Sequence, residues 1–301
     1  MCRDYRPITL TTTDYKILAK VIKERIQIVV EDIIEKEQYA LSKKRNIVDA
    51  LTLVRDIVQL LEKKKQEENY IVAIDIEKAF DSISINFIIN VLQRYGIPKK
   101  LVNLIKEFNT NLRGRVKIGQ NLTEEFEIKQ SIRQGCPLSM LLFAIGLDPL
   151  IRRLKDRING INIEGNNHKM AVYADDITIL INNIGELQDL EAIFESYRKI
   201  SGLTVNRNKT QVLRLGGRNI LGGEMRMLSE EVKILGIKWK STIQETIERN
   251  WEEKVNKNRK FFFQQRARNS NLLEQIIIIN DIALAQLWYV LGTGVTYAQK
   301  N

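Results

Sequence analysis

The chain has 301 residues, 44% hydrophobic and 28% charged, which excludes a disordered or collagen-like polymer and allows a large core or two to three lobes. Lysine and arginine (47) exceed aspartate and glutamate (37), giving a formal net charge of +10 that fits a polyanionic partner, nucleic acid first among them. Two cysteines, Cys2 and Cys136, exclude a disulfide framework and a Cys/His zinc cluster, so the chain reads as intracellular.

His168 is the only histidine, so Ser-His-Asp and Cys-His-Asn triads are not supported and catalysis would rest on carboxylates and metal. No run of 18 apolar residues occurs, so neither a transmembrane span nor a membrane partner is expected. Met1-Cys2-Arg3-Asp4 leads straight into "YRPITL" with no signal peptide.

The first helix is read from apolar residues at 17, 18, 21, 22, 26, 29, 30, 33 and 34, with Asp14 or Thr13 as its N-cap. A second amphipathic helix spans 47–65 and ends in Lys63-Lys64-Lys65, where cations suit the helix dipole. The period then changes: "YIVAIDI", 70–76, has the β-branched composition of a buried strand. Helices are expected at 84–94 and 98–112, divided by Gly96-Ile97-Pro98, and a hairpin at 115–129. Further helices are expected at 138–157 and 185–201, the second closed by Gly202. Strands follow at 170–174, 177–182, 211–215 and 233–238, and residues 244–301 read as mainly helical, with "EQIIIINDIALAQLWYV" as one apolar helix. The fold class is α+β with a mostly antiparallel sheet.

The pair Asp175-Asp176 interrupts an apolar run at the point where two strands must reverse, and it reads as the tip of a tight hairpin. Aspartate is common in turns for its local backbone hydrogen bonds, but the apolar flanks Met170-Ala171-Val172 and Ile177–Ile181 are not those of a solvated turn. Two carboxylates held together raise each other's pKa unless a cation neutralises them, and a hard divalent ion does so. Asp75, at the end of the strand run 70–76, is a third acid of this kind; Asp81, six residues on, reads first as a helix N-cap. Three acids from two strands can hold two metal ions for in-line phosphoryl displacement. In "SIRQGCPLSMLLF", Gly135 and Pro137 break the chain before an apolar helix, and Gln134-Gly135 offers an amide and close backbone approach to a flat ligand.

The blocks "YRPITL", "IDIEKAFDSI", "RQGCPLSMLLF", "YADD", "SGLTVNRNKT" and "ILGIKW" occur in this order, and together they resemble the reverse transcriptase domain of non-LTR (LINE-like) retrotransposons over about residues 3 to 240. The resemblance implies a right-hand polymerase: residues 1–68 as fingers, 69–240 as palm with 97–130 partly fingers, and 241–301 as a partial thumb. It implies that Asp75, Asp175 and Asp176 are catalytic metal ligands, with the Ile76 carbonyl joining them. Lys209 would be a proton donor to pyrophosphate. Arg6, Phe80, Gln134, Gly135 and Tyr173 would bind the nucleotide, with Phe80 the gate beneath the incoming sugar. "ILGIKW" would grip the primer end.

Two Mg2+ ions (or Mn2+), an RNA template, a DNA primer and dNTPs are the cofactors and partners so implied, with nuclear residence by family inference and the oligomeric state open. Met140 stands where the family has a second proline, and Ser131 where it has glycine. Against the family's length, the chain reads as truncated in the fingers and thumb, without an upstream endonuclease or downstream zinc knuckle. The expected function is RNA-directed DNA polymerase. The alternatives are an inactive remnant with at most nucleic-acid binding, and an RNA-dependent RNA polymerase, which the bulk of Phe80 disfavours.

Overall fold

A computed structural model of the protein describes residues 9–41, 44–64, 68–128, 132–216, 228–266, 268 and 270–295. Arg6 lies outside these residues. Helix α1 (Thr13–Ile33) is capped by Thr12, one residue before the expected positions, because the Thr12 hydroxyl accepts from the Tyr15 N–H. Helix α2 (Ile47–Lys64) follows as expected. The run at 70–76 resolves into β1 (Asn69–Ile74) and β2 (Ile76–Glu77), then the short α3 (Ala79–Ser82). Ser84 caps α4 (Ile85–Arg94) through the Phe87 N–H, and α5 (Lys99–Phe108) begins after Pro98.

The 115–129 region is two nested pairs rather than one hairpin: β3 (Leu112–Gly114) with β6 (Phe126–Ile128), enclosing β4 (Lys117–Ile118) with β5 (Asn121–Leu122). Next come α6 (Ser139–Arg157), the unexpected hairpin β7 (Ile161–Ile163) and β8 (Asn166–His168), then β9 (Met170–Tyr173) and β10 (Asp176–Ile181). Helix α7 (Glu186–Ser201) ends in left-handed Gly202, followed by β11 (Thr204–Val205) and β12 (Gln211–Leu215). The strand expected at 233–238 is a hairpin, β13 (Val232–Ile234) and β14 (Ile237–Trp239), because Leu235 and Gly236 take φ values of 47° and 83°. Two left-handed residues between paired strands make a tight reversal that an apolar pattern alone does not reveal. The tail comprises α8 (Ile243–Gln265), α9 (Leu272–Ile278), a π-helical turn (Ile279–Leu284) and α10 (Ala285–Gly292), so the single apolar helix is broken in register.

The stretch Leu272–Gly292 is long and apolar enough to cross a membrane by length and composition, although Glu274, Gln275, Asn280, Asp281 and Gln286 keep it from being an unbroken apolar run. One face of it is used within the protein: Ala283 and Val290 are buried, and Asn258 donates to the Ala283 carbonyl.

The chain forms two compact units. One comprises Met1–Lys44, Asp75–Ile158 and Gly185–Lys209. At its centre lies α6, with residues 141–147 all buried, in contact with α4 and α7. Buried Asp148 accepts from the Tyr95 hydroxyl, from Arg152 Nε at 2.6 Å and from the Glu35 N–H at 2.7 Å, joining the end of α1 to α4 and α6. Lys155 and Arg152 also pair with Glu35 at 2.6 and 2.8 Å.

The other unit comprises Arg45–Ile74, Asn159–Ile184 and Thr210–Asn301. Its four-stranded sheet runs β12-β1-β10-β9, antiparallel throughout. Ile71, Leu180 and Leu213 share one row of this sheet and enter a core with α2, β13, β14 and the tail, where Trp239 is fully buried. The Ile243 N–H donates to Glu62 at 3.1 Å and Trp251 Nε1 to the Val295 carbonyl at 3.1 Å, so the tail and α2 close around one core.

The hydrogen bond from Lys155 and the neighbouring cations hold the Glu35 carboxyl below its ordinary 4.5. A depressed folded pKa adds stability above the unfolded value and loses it as the pH falls through the folded one. Denaturant midpoints of the wild type should therefore drop on acidification below about 4.5, and Glu35→Gln should lower the neutral-pH midpoint and flatten that acid limb.

Candidate active site

The aspartate pair sits at the hairpin tip that the sequence indicates. Tyr173 pairs with Asp176, so Ala174 and Asp175 alone form the loop. Ala174 takes φ 55°, a left-handed conformation that two-residue hairpins usually assign to glycine. Asp176 begins β10 and is exposed, while the five residues after it are buried. The acids are thus fixed to the end of a strand whose remainder cannot slide without moving its apolar side chains off the core face.

At the same end of the sheet, Ile74 is the partner of Ile177. Asp75 follows Ile74 in the chain, as Asp176 precedes Ile177. Within the first unit, Asp75 is held from the other side. Its carbonyl accepts from the Asn206 N–H at 2.8 Å, and Ile76 and Glu77 pair with Val205 and Thr204. The segment 202–209 reaches this place through Gly202, at φ 83°, where a Cβ would lie 2.6 Å from the Ser82 carbonyl oxygen. The Lys209 ammonium stands 4.0 Å from the Asp75 carboxylate; the lysine is exposed and the aspartate half-buried. The blocks "IDIEKAFDSI" and "SGLTVNRNKT", distant in sequence, are therefore one structural element.

Phe80 lies on α3, its ring centroid 4.8 Å from that of Phe143 on the buried helix α6. Its carbonyl accepts from the Ile132 N–H at 2.8 Å, and the Asp81 carboxylate accepts from Gln134 Nε2 at 3.3 Å. Asp81 is thus the third residue of α3, holding the Gln134 amide, and not the N-cap that its sequence position suggests; Lys78 occupies the cap without a side-chain bond. The Gln134 carbonyl accepts from the Thr9 N–H at 3.2 Å. Gly135 takes φ 93°, and a Cβ there would lie 3.0 Å from the Thr9 carbonyl oxygen.

Arg133 adds a fastening that sequence reasoning missed. Its guanidinium lies 4.3 Å from the centre of the Tyr15 ring and donates to the Phe108 carbonyl, while the Tyr15 hydroxyl lies 3.1 Å from Cys136 Sγ. An arginine between glycine-rich and polar neighbours gives no pattern that separates such a clamp from a surface cation.

The acids offer only oxygen donors, the kind that suits a hard divalent cation. Among the described residues, no three His, Cys, Asp or Glu side chains form a group that could hold a metal ion. Within one unit the fold places Asp175 and Asp176 together at a turn, and within the other it places Lys209 beside Asp75.

One unit thus carries an antiparallel sheet that ends in an acidic hairpin, and the other carries the aromatic α3 with the Gln-Gly loop fastened to it. Residues 2–239 match the family model "Reverse transcriptase (RNA-dependent DNA polymerase)", and the chain belongs to that family. Its curated relatives are proteins of non-LTR elements. It is 27% identical over 303 residues to the transposon TX1 uncharacterized 149 kDa protein of Xenopus laevis, covering 96% of this chain and 23% of that one. To the Pol polyprotein of the R2 element of Popillia japonica it is 28% identical over 214 residues, covering 69% of this chain and 29% of that one. The chain therefore spans less than a third of these relatives' length. Among solved structures, apo telomerase of Candida tropicalis, truncated from its C-terminal domain, gives a TM-score of 0.53 at 15% identity over 75% of this chain and 44% of that one. Telomerase of Candida albicans with a fragment of telomeric RNA gives 0.51 at 11% identity over 93% and 51%. These likenesses show the right-hand fold.

Gly135→Ala should strain the backbone and press on Thr9, raising protease sensitivity at the 132–136 loop and costing about 1–2 kcal/mol of stability in denaturant unfolding.

Proposed function

We propose that the chain is the RNA-directed DNA polymerase module of a non-LTR retrotransposon, extending a DNA primer with dNTPs on an RNA template. The observation that carries this reading is the Ala174-Asp175 turn: a strained two-residue reversal, between buried strands, that presents two adjacent carboxylates within the family match. Strain of this kind persists where the surrounding structure over-determines it, and it clusters at active sites.

In this reading Asp75, Asp175 and Asp176, with the Ile76 carbonyl, are the residues that would hold two Mg2+ ions. When bound, such ions activate a hydroxyl nucleophile and neutralise a triphosphate. The chain's own residues then divide the remaining work. Phe80 places a ring, backed by Phe143, where a 2′-hydroxyl would clash, and so favours deoxynucleotides. Gln134, its amide held by Asp81, and the Gly135 backbone present hydrogen-bonding groups to the base and sugar. Tyr173 opposes Asp176 at the hairpin. Lys209 keeps a cation at Asp75 and is the candidate proton donor to the departing pyrophosphate. Arg6, with its permanent charge, is assigned to the triphosphate by the family block it belongs to. The excess of basic residues suits the phosphate backbones of primer and template.

Primer extension on an RNA template with Mg2+ or Mn2+ tests this. Asp175→Asn should reduce incorporation by about a thousandfold or more while leaving the fold intact by circular dichroism; unchanged extension would sink the assignment. Salt-sensitive nucleic-acid binding without incorporation by the wild type would instead favour an inactive remnant. Phe80→Ala should increase incorporation of ribonucleotides relative to deoxynucleotides by about tenfold or more, read from single-nucleotide kcat/KM values.

A further inference from the structure

The loop that carries Gln134 is fastened through its backbone. The Ile132 N–H donates to the Phe80 carbonyl at 2.8 Å, and the Thr9 N–H to the Gln134 carbonyl at 3.2 Å. The Arg133 carbonyl accepts from the Ser139 hydroxyl at 2.7 Å and from the Cys136 N–H at 3.2 Å. The bond from Gln134 Nε2 to the Asp81 carboxylate, at 3.3 Å, is therefore not what closes the loop.

The two partners in that bond differ in kind. A carboxylate offers acceptors only, whereas a primary amide has a donor end and an acceptor end. Asp81 is thus satisfied only by the Nε2 end, and it fixes the sense of the amide, with Nε2 toward α3 and Oε1 away from Asp81. Among the described residues Oε1 accepts no hydrogen bond, and no lysine or arginine pairs with Asp81. Both side chains belong to half-buried residues, and Gly135, next in the chain, is exposed, so the loop opens to solvent where the amide stands. The four-residue α3 accordingly carries two adjacent devices, the Phe80 ring and the acid that orients Gln134.

We propose that Asp81 is a positioning residue for the incoming nucleotide: it makes Gln134 present an acceptor, so the group recognised there is an O–H or N–H donor. The proposal rests on the polymerase reading, in which Gln134 lies against that nucleotide. A sugar hydroxyl and the N–H groups of a base both supply such a donor. If Asp81 were only a tether, a partner able to bond either end of the amide would serve equally well.

Asp81→Asn is such a partner, since it keeps the contact but no longer dictates its sense. It should raise KM for dNTP about fivefold, as loss of one net hydrogen bond would, with kcat within about twofold. Adding Gln134→Glu to Asp81→Asn reverses the pair: the amide now donates, and the carboxylate keeps an oxygen facing away from it. This double variant should lower KM again by about threefold. Protease sensitivity at residues 132–136 should be alike in all three proteins.

An unchanged dNTP KM in Asp81→Asn overturns the proposal in favour of a tether, and so does a double variant no better than the single one. Faster cleavage of the loop in Asp81→Asn overturns it as well, because the loss is then structural. Equal rises in KM for the four dNTPs assign the donor to the sugar, and unequal rises assign it to the base. Should the wild type extend no primer, the polymerase reading falls instead. The magnetic resonance signal of the Gln134 side-chain amide then decides whether Asp81 orients it: a signal moved by Asp81→Asn upholds the orientation, and an unmoved one overturns it.

Discussion

The antiparallel ladder between β1 and β10 is the constraint on which the site depends. Both strands are buried along almost their whole length, and their pairing runs from Tyr70 opposite Ile181 to Ile74 opposite Ile177. A shift of one residue would turn Ile71 and Leu180 away from the core they share with α2 and Trp239. The register is therefore set by apolar burial, and the position of Asp176 follows from it. The buried strands fix the turn between them, and the left-handed Ala174 is tolerated there for the same reason.

A second constraint acts on the residues after β1. The chain leaves the sheet at Ile74 and immediately pairs again, as β2, with β11. That pairing brings Lys209 to Asp75 and makes the 202–209 segment a support for the acid. An ion pair this open to solvent stabilises little, so its significance is electrostatic: it sets a positive charge next to a carboxylate. The Gln134-Gly135 loop is fixed in a comparable way, by Thr9, Phe80, Asp81 and the stacked Arg133 and Tyr15. Polar contacts, few of them between oppositely charged side chains, orient this loop, whereas apolar contacts orient the hairpin.

What the sequence discloses follows from these two kinds of contact. The long helices and the strands 70–74, 170–173 and 177–181 were legible because burial imposes a period on them. The hairpin tip was legible because two acids interrupt that burial. The β13–β14 and β7–β8 reversals were not, since Leu235 and Glu164 adopt left-handed φ values that their residue types do not advertise. Asp81 was misread because an aspartate six residues after a strand fits an N-cap as well as a tether, and only the position of Gln134, 53 residues away, separates the two. The π-helical turn at Ile279–Leu284 was hidden because an isoleucine run is apolar on every face and carries no phase information. The bond from the Tyr289 hydroxyl to the Leu235 carbonyl was hidden for a different reason: a main-chain acceptor leaves no trace in side-chain patterns.

The boundary of the family match also differs from the boundary of the physical unit. The match ends at residue 239, yet the core that fixes β1 and β10 continues through Ile247 and Val290 to Val295. Trp239, the largest wholly buried side chain among the described residues, sits at the join, and Ile243, Trp251 and Tyr289 pack around the same cluster. Removing the tail would expose the face of the sheet from which Asp176 projects, and exposed apolar surface of that kind is costly at about 25 cal/mol per Å². The helical tail is therefore part of what holds the acidic hairpin, and its sequence is constrained by this core even where no family motif marks it.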